Sequence, residues 1–221
     1  MNYLTLELLN SEELKILRNN LDKEKLFWED GKQTAGKQAA KVKNNLQLKR
    51  DSDLSKKFSN LITKKILSNE LLKSFALPKK VHGTIFSKST KGMGYGSHID
   101  NAYMSSGRAD LSFTVFLNCK DNYDGGALLI ESFNSEDKFK LDAGEIIIYP
   151  STYLHSVEEV SCGERLVFIG WIESYIKSIE EREYLFDLDA AARSLLAKYG
   201  RSREVDLIFK SYSNLLRRLG S

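Results

Sequence analysis

The middle of the chain consists of short apolar segments separated by glycine-containing turns, and this pattern constrains the fold more than any other feature. Five segments are rich in β-branched or aromatic residues and are predicted as strands: residues 81–87, 111–117, 127–131, 145–149 and 165–172. Turn sequences such as Asp124-Gly125-Gly126 lie between them. Since no helical segments alternate with these strands, the pattern predicts an antiparallel sandwich or jelly roll, not a parallel sheet with crossover helices.

The second of these segments alternates in polarity. Its apolar residues are Leu111, Phe113, Val115 and Leu117, and Ser112 and Thr114 lie between them. Because successive side chains of a strand point to opposite faces, this alternation indicates a strand that is covered on one face.

Helical patterns precede the strand region. Three leucines recur at helical spacing after Asn10 and Glu13, a pair that resembles a capping box. A second helical pattern covers residues 54–66 and follows two aspartates that suit a helix start. Between the two helices, residues 28–49 show little periodicity and are predicted as loop or extended structure.

The chain becomes helical again after Trp171. An apolar stripe follows Gly200 and the capping residue Ser202, and it consists of Val205, Ile208, Phe209, Tyr212, Leu215 and Leu219. We expect this stripe to pack on the chain's own core, and a homodimer contact is the alternative.

The composition limits the function classes. Lys plus Arg number 33 against 30 for Asp plus Glu, so the charge is balanced and no nucleic-acid partner is expected. Cys119 and Cys162 can form neither a disulfide framework nor a cysteine-ligated zinc site. The first residues are acidic where a signal peptide is basic, and no apolar run approaches a membrane span. The sequence therefore predicts a soluble, cytoplasmic protein without a membrane partner.

Three residues have the pattern of a metal site. On an extended segment, the side chains of His98 and Asp100 point to the same side and can converge on one ion. This pair alone is a weak signal, because short motifs also arise by chance. His155 follows 55 residues after Asp100, just past an apolar strand. Two histidines and one carboxylate form the facial triad of non-haem iron(II) oxygenases, which leaves coordination positions open for co-substrate and oxygen.

Arg165 is the fourth candidate, ten residues after His155 and at the start of an otherwise apolar strand. A guanidinium in such a position is costly unless it meets an anion, and its planar fork matches a carboxylate. The alternative is an arginine at the rim of the sheet, paired with one of three nearby glutamates, Glu158, Glu159 or Glu164.

The sequence around these residues resembles the PKHD-type hydroxylases, a branch of the iron(II)/2-oxoglutarate oxygenase superfamily. The resembling segments cover nearly the whole chain and lie at Asp30–Gly36, Val42–Asn45, Tyr95–Asn101, Arg108–Ser112, Asp121–Gly126, Leu154-His155 and Leu185–Asp189. The resemblance implies that His98, Asp100 and His155 are the Fe(II) ligands and that Arg165 binds 2-oxoglutarate. It also implies L-ascorbate as a possible reductant of the iron.

The resemblance further implies an α+β fold with a double-stranded β-helix, or jelly-roll, core. We expect an N-terminal helical and loop region (residues 1–77) packed on the core, the oxygenase core (78–174) and a C-terminal helical segment (175–221). One departure concerns the arginine. Some related prolyl hydroxylases support it with a tyrosine hydroxyl, whereas the matching strand of this chain offers Phe116. Another donor must then assist Arg165.

Other residues are weaker candidates. His82 opens a strand without a ligand pattern nearby, and Asn101 could orient the metal ligands or cap a turn. The run Lys43-Asn44-Asn45 could line the substrate entrance. Gly125-Gly126 indicates a tight turn or a close backbone approach and not a catalytic role.

The predicted function is that of a dioxygenase that uses O2 and 2-oxoglutarate to hydroxylate a substrate, with release of succinate and CO2. The sequence leaves that substrate open between a small molecule and a protein side chain. The alternative function is a metal-binding or sensory jelly-roll protein without turnover, for which Arg165 would have no purpose.

Overall fold

The computed structural model of the chain describes residues 3–21, 27–34, 39–131 and 135–221. These residues contain five α-helices: α1 (Ser11–Leu21), α2 (Asp53–Ser68), α3 (Glu70–Ala76), α4 (Ile179–Tyr199) and α5 (Arg203–Leu219). The strands are β1 (Leu4–Glu7), β2 (Trp28–Asp30), β3 (Lys43–Asn44), β4 (Leu46–Leu48), β5 (Pro78–Thr90), β6 (Gly94–His98), β7 (Tyr103–Met104), β8 (Gly107–Arg108), β9 (Leu111–Phe116), β10 (Tyr123–Gly125), β11 (Leu128–Glu131), β12 (Glu136–Phe139), β13 (Glu145–Pro150), β14 (His155–Val157) and β15 (Val160–Ser174).

The strands form two main antiparallel sheets and one small hairpin. The large sheet has the order β1-β13-β9-β15-β5-β4-β2, and β10 pairs with one end of β15. The smaller sheet has the order β12-β11-β14-β6-β3, and β7 pairs with β8. Strands that are distant in the sequence are neighbours in both sheets, so the architecture is the antiparallel sandwich that the turn pattern predicts.

The large sheet is covered on both faces. One face packs with the helices around Phe86, Phe113 and Phe168. The other face packs against the smaller sheet through a second apolar cluster that includes Phe116 and Val167. All six residues of β9 are therefore buried, and the expectation of a strand covered on one face is wrong. Its polar side chains face a cavity between the sheets and not open solvent.

Each predicted strand lies within an observed strand or overlaps one, but the bounds differ. Strand β15 begins at Val160, five residues before Arg165, because its first residues pair with β10. The first 77 residues also contribute four strands, β1 to β4. Strand β1 precedes the first predicted helix and was not predicted, whereas β2 to β4 lie within residues 28–49, which were predicted as loop or extended structure. The four strands are two to four residues long, and residues 35–38 of that stretch lie outside the described residues. Such short strands form by pairing with distant segments, so their own sequence gives little periodicity.

The predicted helix starts are confirmed with one change. The Asn10 backbone N–H donates to Glu13 Oε2 and the Glu13 N–H donates to Asn10 Oδ1, both at 3.0 Å, which makes a complete capping box. The cap of α2 is Ser52, which lies between the two aspartates suggested by the sequence. Ser202 caps α5 as predicted.

The C-terminal apolar stripe is only partly covered. Helix α5 packs on α4, and Val205 is its buried residue. Leu215 at the other end of the stripe remains 37% exposed. The first turn of the stripe thus packs on another helix of the same chain, and Val205 belongs to neither of the two core clusters, so packing of the stripe on the core stays a prediction. Across the helices that the structure describes, none is both long and apolar enough to cross a membrane.

Phe168 supports the sheet that carries the candidate site. Its ring lies 4.7 Å from that of Phe86 and 5.9 Å from that of Phe113, measured between centroids. We expect Phe168→Ala to lower the free energy of unfolding by about 3–5 kcal/mol, because it leaves a cavity in the core. Phe27→Ala, at a ring that is 42% exposed, is the control and should change it by less than about 1 kcal/mol. Urea unfolding of both variants measures this, and equal losses would contradict the role of Phe168.

Candidate active site

The four candidate residues line one cavity between the two sheets. The cavity has a volume of about 440 Å³ and receives side chains from β5, β9 and β15 of the large sheet and from β6, β11 and β14 of the smaller one. His98, Asp100, His155 and Arg165 are all among its lining residues. This volume lies in the range of sites for small molecules.

Pairing of β6 with β14 brings the two histidines together. His98 ends β6, His155 begins β14, and the two are direct cross-strand partners with ring centroids 4.3 Å apart. Asp100 follows in the next turn, and its Oδ2 lies 3.7 Å from His155 Nε2. One ligand atom from each residue lies within 4.8 Å of the others, which is close enough for one metal ion to contact all three.

Backbone hydrogen bonds orient both imidazoles. His98 Nδ1 is 2.8 Å from the Gly96 carbonyl oxygen, and His155 Nδ1 is 3.0 Å from that of Tyr153. A carbonyl can only accept, so in each ring Nδ1 carries the proton and Nε2 has a free lone pair. This is the tautomer that binds metals, with the second nitrogen held by an outer hydrogen bond.

Asp100 is held by a chain of serine hydroxyls. Ser112 Oγ donates to Asp100 Oδ2 at 2.6 Å and is 2.8 Å from Ser151 Oγ. Because the Ser112 proton points to the carboxylate, Ser151 is the donor in the second contact. Burial, and then the charge of Asp100, raise the pKa of the nearby Tyr149 well above its usual value, so that phenol stays protonated. The carboxylate is thereby fixed in a polar setting on the large sheet.

The histidines are shielded from solvent on one side by Tyr95. Its ring stacks on His98 with centroids 3.6 Å apart and an angle of 16° between the planes. Burial, followed by the charge of His155, lowers the pKa of His98 from 6.5 to about 4. Burial also raises the pKa of Tyr95 to about 12. Both groups are therefore neutral at pH 7, as a metal-binding imidazole requires.

Arg165 lines the cavity and is buried, with 4% of its surface exposed. No carboxylate of the described residues forms an ion pair with it, and its Nε has no hydrogen-bond partner there. Glu158 pairs with Lys138 and Glu164 pairs with Lys88, at 2.6 and 3.6 Å. The alternative of an arginine paired at the rim is therefore wrong. Burial lowers the pKa of Arg165, which shows how costly this charge is without an anion.

Small and aromatic residues shape the space around this guanidinium. The Phe116 ring centre lies 5.6 Å from the Arg165 Cζ, so the strand matched to the prolyl hydroxylases offers an aromatic ring and no hydroxyl. Ser89 on β5 is the direct cross-strand partner of Arg165, on the same face of the sheet, and also lines the cavity. A Cβ at Gly126 would lie 3.0 Å from Arg165 Cδ, which confirms the close approach predicted there.

Two family models match the chain. Residues 84–173 match the 2OG-Fe(II) oxygenase superfamily, and residues 180–220 match the C-terminal domain of PKHD-type hydroxylases. A PKHD-type hydroxylase of Prochlorococcus marinus strain MIT 9215 is 73% identical over 220 residues, which is 100% of both chains. A second one, from strain MIT 9515, is 69% identical over 221 residues and also covers 100% of both.

The chain belongs to the PKHD-type hydroxylase family. Its activity is that of an iron(II)- and 2-oxoglutarate-dependent dioxygenase. Solved structures share its fold at low identity. A prolyl-4-hydroxylase of Pseudomonas putida is 14% identical with a TM-score of 0.58, covering 78% of this chain and 92% of that one. HygX of Streptomyces hygroscopicus, with nickel, 2-oxoglutarate and hygromycin B bound, is 13% identical with a TM-score of 0.56, covering 80% and 84%.

The weaker candidate site residues of this hydroxylase differ in whether they line the cavity. His82 is hydrogen-bonded to Ser106 Oγ and to the Arg108 carbonyl, at 2.9 and 2.8 Å, so it supports the β7–β8 hairpin and is not among the residues that line the cavity. Asn101 lines the cavity but is exposed. Lys43 and Asn45 line the cavity as predicted.

Asn44, the middle residue of the predicted Lys43-Asn44-Asn45 run, is not among the residues that line the cavity. Asn44 is exposed and its amide donates to the Gly92 carbonyl at 2.9 Å. Its two neighbours point into the cavity because successive side chains of an extended segment alternate.

Sequence reasoning missed the serines that support the hydroxylase's site. The signal was present in β9, where Ser112 interrupts an apolar run, but a polar residue in that position also suits a solvent-facing strand. Ser89 lies two residues past the predicted strand of residues 81–87 and is part of the longer β5.

Ser112 positions the Asp100 carboxylate, so its removal should weaken metal binding. We expect Ser112→Ala to raise the Fe(II) dissociation constant about 10–100-fold, the usual cost of losing a partner of a metal ligand. Ser97→Ala is the matched control, because Ser97 is next to His98 but bonds outward to Glu131 at 3.1 Å. Anaerobic metal titration measures both constants. Unchanged affinity in Ser112→Ala would contradict this role.

The lowered pKa of His98 should make the metal-free protein sensitive to acid. Between about pH 6.5 and pH 4 the unfolded chain protonates this histidine and the folded chain does not, so stability falls as the pH falls. The loss attributable to His98 is on the order of 3 kcal/mol. We expect His98→Gln to show a shallower decline when urea unfolding of metal-free protein is followed over this range. Parallel curves for the two proteins would rule this out.

Proposed function

We propose that His98, Asp100 and His155 bind Fe(II) in this cavity and that Arg165 binds the distal carboxylate of 2-oxoglutarate. The observation that carries this proposal is a buried guanidinium, with no ion-pair partner among the described residues, in the same cavity as three converging ligand atoms. Two imidazoles and a carboxylate suit iron(II), and the free Nε2 atoms are in the required protonation state. The structure of HygX contains nickel and 2-oxoglutarate together on a related fold, which supports a metal and 2-oxoglutarate in one site.

Bound iron(II) and 2-oxoglutarate supply the oxidising chemistry, in which O2 is consumed and succinate and CO2 are released while a substrate C–H bond is hydroxylated. The chain's own residues orient and shield these groups. Arg165 offers a planar fork of donors to a carboxylate, and Ser89 lies beside it on the same face as a further hydroxyl donor. We infer that Ser89 takes over part of the role that Phe116 cannot perform.

Apolar side chains keep water away from the reacting groups. Ile85, Leu128, Val167 and Ile169 line the same cavity as the proposed metal ligands and Arg165. A dry lining strengthens the electrostatic contacts of Asp100 and Arg165 with their ligands, because the local dielectric constant is low. A protein that binds metal without turnover has no use for this second, anion-binding end, so we favour the enzyme.

The finer assignments follow from the same proposal. We assign the two facing sheets to a double-stranded β-helix core at residues 78–174, completed by the strands of residues 1–77 and followed by the helical segment 175–221. The possible use of L-ascorbate, a cytoplasmic location and a homodimer through the exposed part of the α5 stripe remain predictions, as does the absence of nucleic-acid and membrane partners.

Arg165→Gln tests the co-substrate site. We expect the 2-oxoglutarate dissociation constant to rise at least tenfold, because a charge-assisted pair is replaced by a neutral amide. Calorimetric titration of the Fe(II)-loaded protein without oxygen measures this, together with succinate release in air. Arg201→Gln is the control, at an exposed arginine paired with Asp206 at 3.0 Å.

Two results would overturn the proposal. One is a wild-type protein that binds no 2-oxoglutarate and releases no succinate when Fe(II) is supplied. The other is unchanged 2-oxoglutarate binding in the Arg165 variant. A His155→Ala variant that keeps full Fe(II) affinity would remove the metal assignment while leaving the anion site intact.

A further inference from the structure

Two buried polar atoms at the arginine assigned to 2-oxoglutarate have no hydrogen-bond partner among the described residues. They are the Nε of Arg165 and the hydroxyl oxygen of Tyr123, a residue of β10 with 3% of its surface exposed. A buried polar group without a partner is costly, so each such group in a folded protein calls for a physical reason. The proposed function assigns no role to Tyr123.

Strand pairing places the phenol beside the guanidinium. Tyr123 is the cross-strand partner of Gly163, which lies two residues before Arg165 in β15. Residues two apart in a strand point to the same face, so Tyr123 and Arg165 are diagonal neighbours on one face of the sheet. A Cβ at Gly163 would lie 3.0 Å from the Tyr123 Cβ, so this glycine leaves room for the aromatic side chain.

A second glycine gives an independent measure of this proximity. A Cβ added at Gly126 would lie 3.0 Å from Arg165 Cδ and 3.1 Å from Tyr123 Cε2. The first of these atoms is bonded to the unpaired Nε, and the second is next to the ring carbon that carries the hydroxyl. The unpaired donor and the hydroxyl end of the ring therefore border the same small space.

The Tyr123 side chain is held by contacts that do not involve its hydroxyl. Lys140 Nζ lies 4.4 Å from the ring centre and also donates to the Tyr123 carbonyl oxygen at 2.6 Å. Burial raises the pKa of the phenol, and the charge of Arg165 opposes this rise without reversing it, so the phenol is protonated at pH 7. Its oxygen can accept a hydrogen bond from a cationic donor.

Phe116 lies over the same guanidinium without a hydroxyl. Its ring centre is 5.6 Å from Arg165 Cζ, so it offers the cation an aromatic face and no hydrogen bond. Ser89 reaches Arg165 from β5, and Tyr123 reaches it from β10. The two hydroxyls therefore approach the arginine from different strands, and neither comes from the strand that carries Phe116.

We propose that Tyr123 is a positioning residue of the co-substrate site, whose phenolic oxygen accepts the Arg165 Nε–H and so fixes the plane of the guanidinium that binds the carboxylate. This inference rests on the proposed function, because Arg165 acts there on 2-oxoglutarate.

The geometry of a guanidinium explains why this contact matters for binding. The group carries five N–H donors in one plane, and a carboxylate that binds in a fork takes two of them. A small rotation of the Arg165 side chain brings its Nε–H onto the phenolic oxygen, and a carboxylate at the other donors favours the same alignment. The two hydrogen-bonding partners of the guanidinium therefore support each other, and the Tyr123 hydroxyl adds affinity for 2-oxoglutarate without touching it.

Tyr123→Phe tests this inference, because it removes the hydroxyl and keeps the ring. We expect the 2-oxoglutarate dissociation constant to rise about three- to tenfold, the usual effect of losing one hydrogen bond. Calorimetric titration of the Fe(II)-loaded protein without oxygen measures it. Tyr3→Phe is the matched control and should bind 2-oxoglutarate as the wild type does, because Tyr3 packs on Phe139, with ring centroids 4.6 Å apart, and does not line the cavity.

Two further measurements separate positioning from a role in the fold. In urea unfolding of metal-free protein without 2-oxoglutarate, Tyr123→Phe should have an unchanged or higher midpoint, since its hydroxyl has no partner whose loss would lower stability. The double variant Tyr123→Phe/Phe116→Tyr returns a hydroxyl to the guanidinium from the ring that lies over it. It should recover most of the affinity for 2-oxoglutarate that Tyr123→Phe loses.

The outcomes separate this inference from the proposed function. Unchanged 2-oxoglutarate affinity in Tyr123→Phe would overturn the inference. A weaker affinity that comes with a lowered urea midpoint would also overturn it, since the hydroxyl would then support the fold. In both cases the proposed function stands as long as Arg165→Gln loses 2-oxoglutarate. If 2-oxoglutarate fails to bind the Fe(II)-loaded wild-type protein, it is the proposed function that fails.

Discussion

The pairing of β6 with β14 is the constraint on which the site depends. It places His98 opposite His155, and each imidazole is then oriented by a carbonyl two residues earlier in its own chain segment. A slip of one residue in this register would turn one histidine to the other face of the sheet. Asp100 lies two residues after His98, outside the strand. Its carboxylate accepts a hydrogen bond from Ser112 on the opposite sheet, which fixes its position. The metal site therefore joins the two sheets.

The large sheet serves two purposes because its strands are buried on both faces. In β9, Phe113 and Val115 pack toward the helices, whereas Ser112 and Thr114 point into the cavity. The same division holds in β5, where Phe86 lies in the core and Ser89 lines the cavity. Buried hydroxyls are costly without partners, so a face that carries several of them is built to meet polar ligands. The rigid packing on one face thus holds the binding groups on the other.

Local chemistry decided how much of this could be predicted from the sequence. The metal ligands and Arg165 could be proposed because His98, Asp100, His155 and Arg165 combine into one pattern that the family resemblance supports. The capping box at Asn10 could be predicted because it depends on neighbouring residues alone. The two-residue strand β3 and the contact of Ser112 with Asp100 depend on pairing between distant segments, which one sequence does not encode locally. The alternation in β9 correctly indicated a strand with a period of two. The pattern does not distinguish polar side chains that face a cavity from polar side chains that face solvent.

Arg165 and Lys43, two cations that line the cavity, differ in how firmly each requires an anion nearby. Arg165 cannot lose its proton at any pH at which proteins fold, so its burial is a fixed cost that only a bound carboxylate offsets. Lys43 is different, because burial and Arg50 bring its pKa to about 8 and let it become neutral at a modest cost. The proposed 2-oxoglutarate site therefore keeps a positive charge at every pH at which the protein is folded.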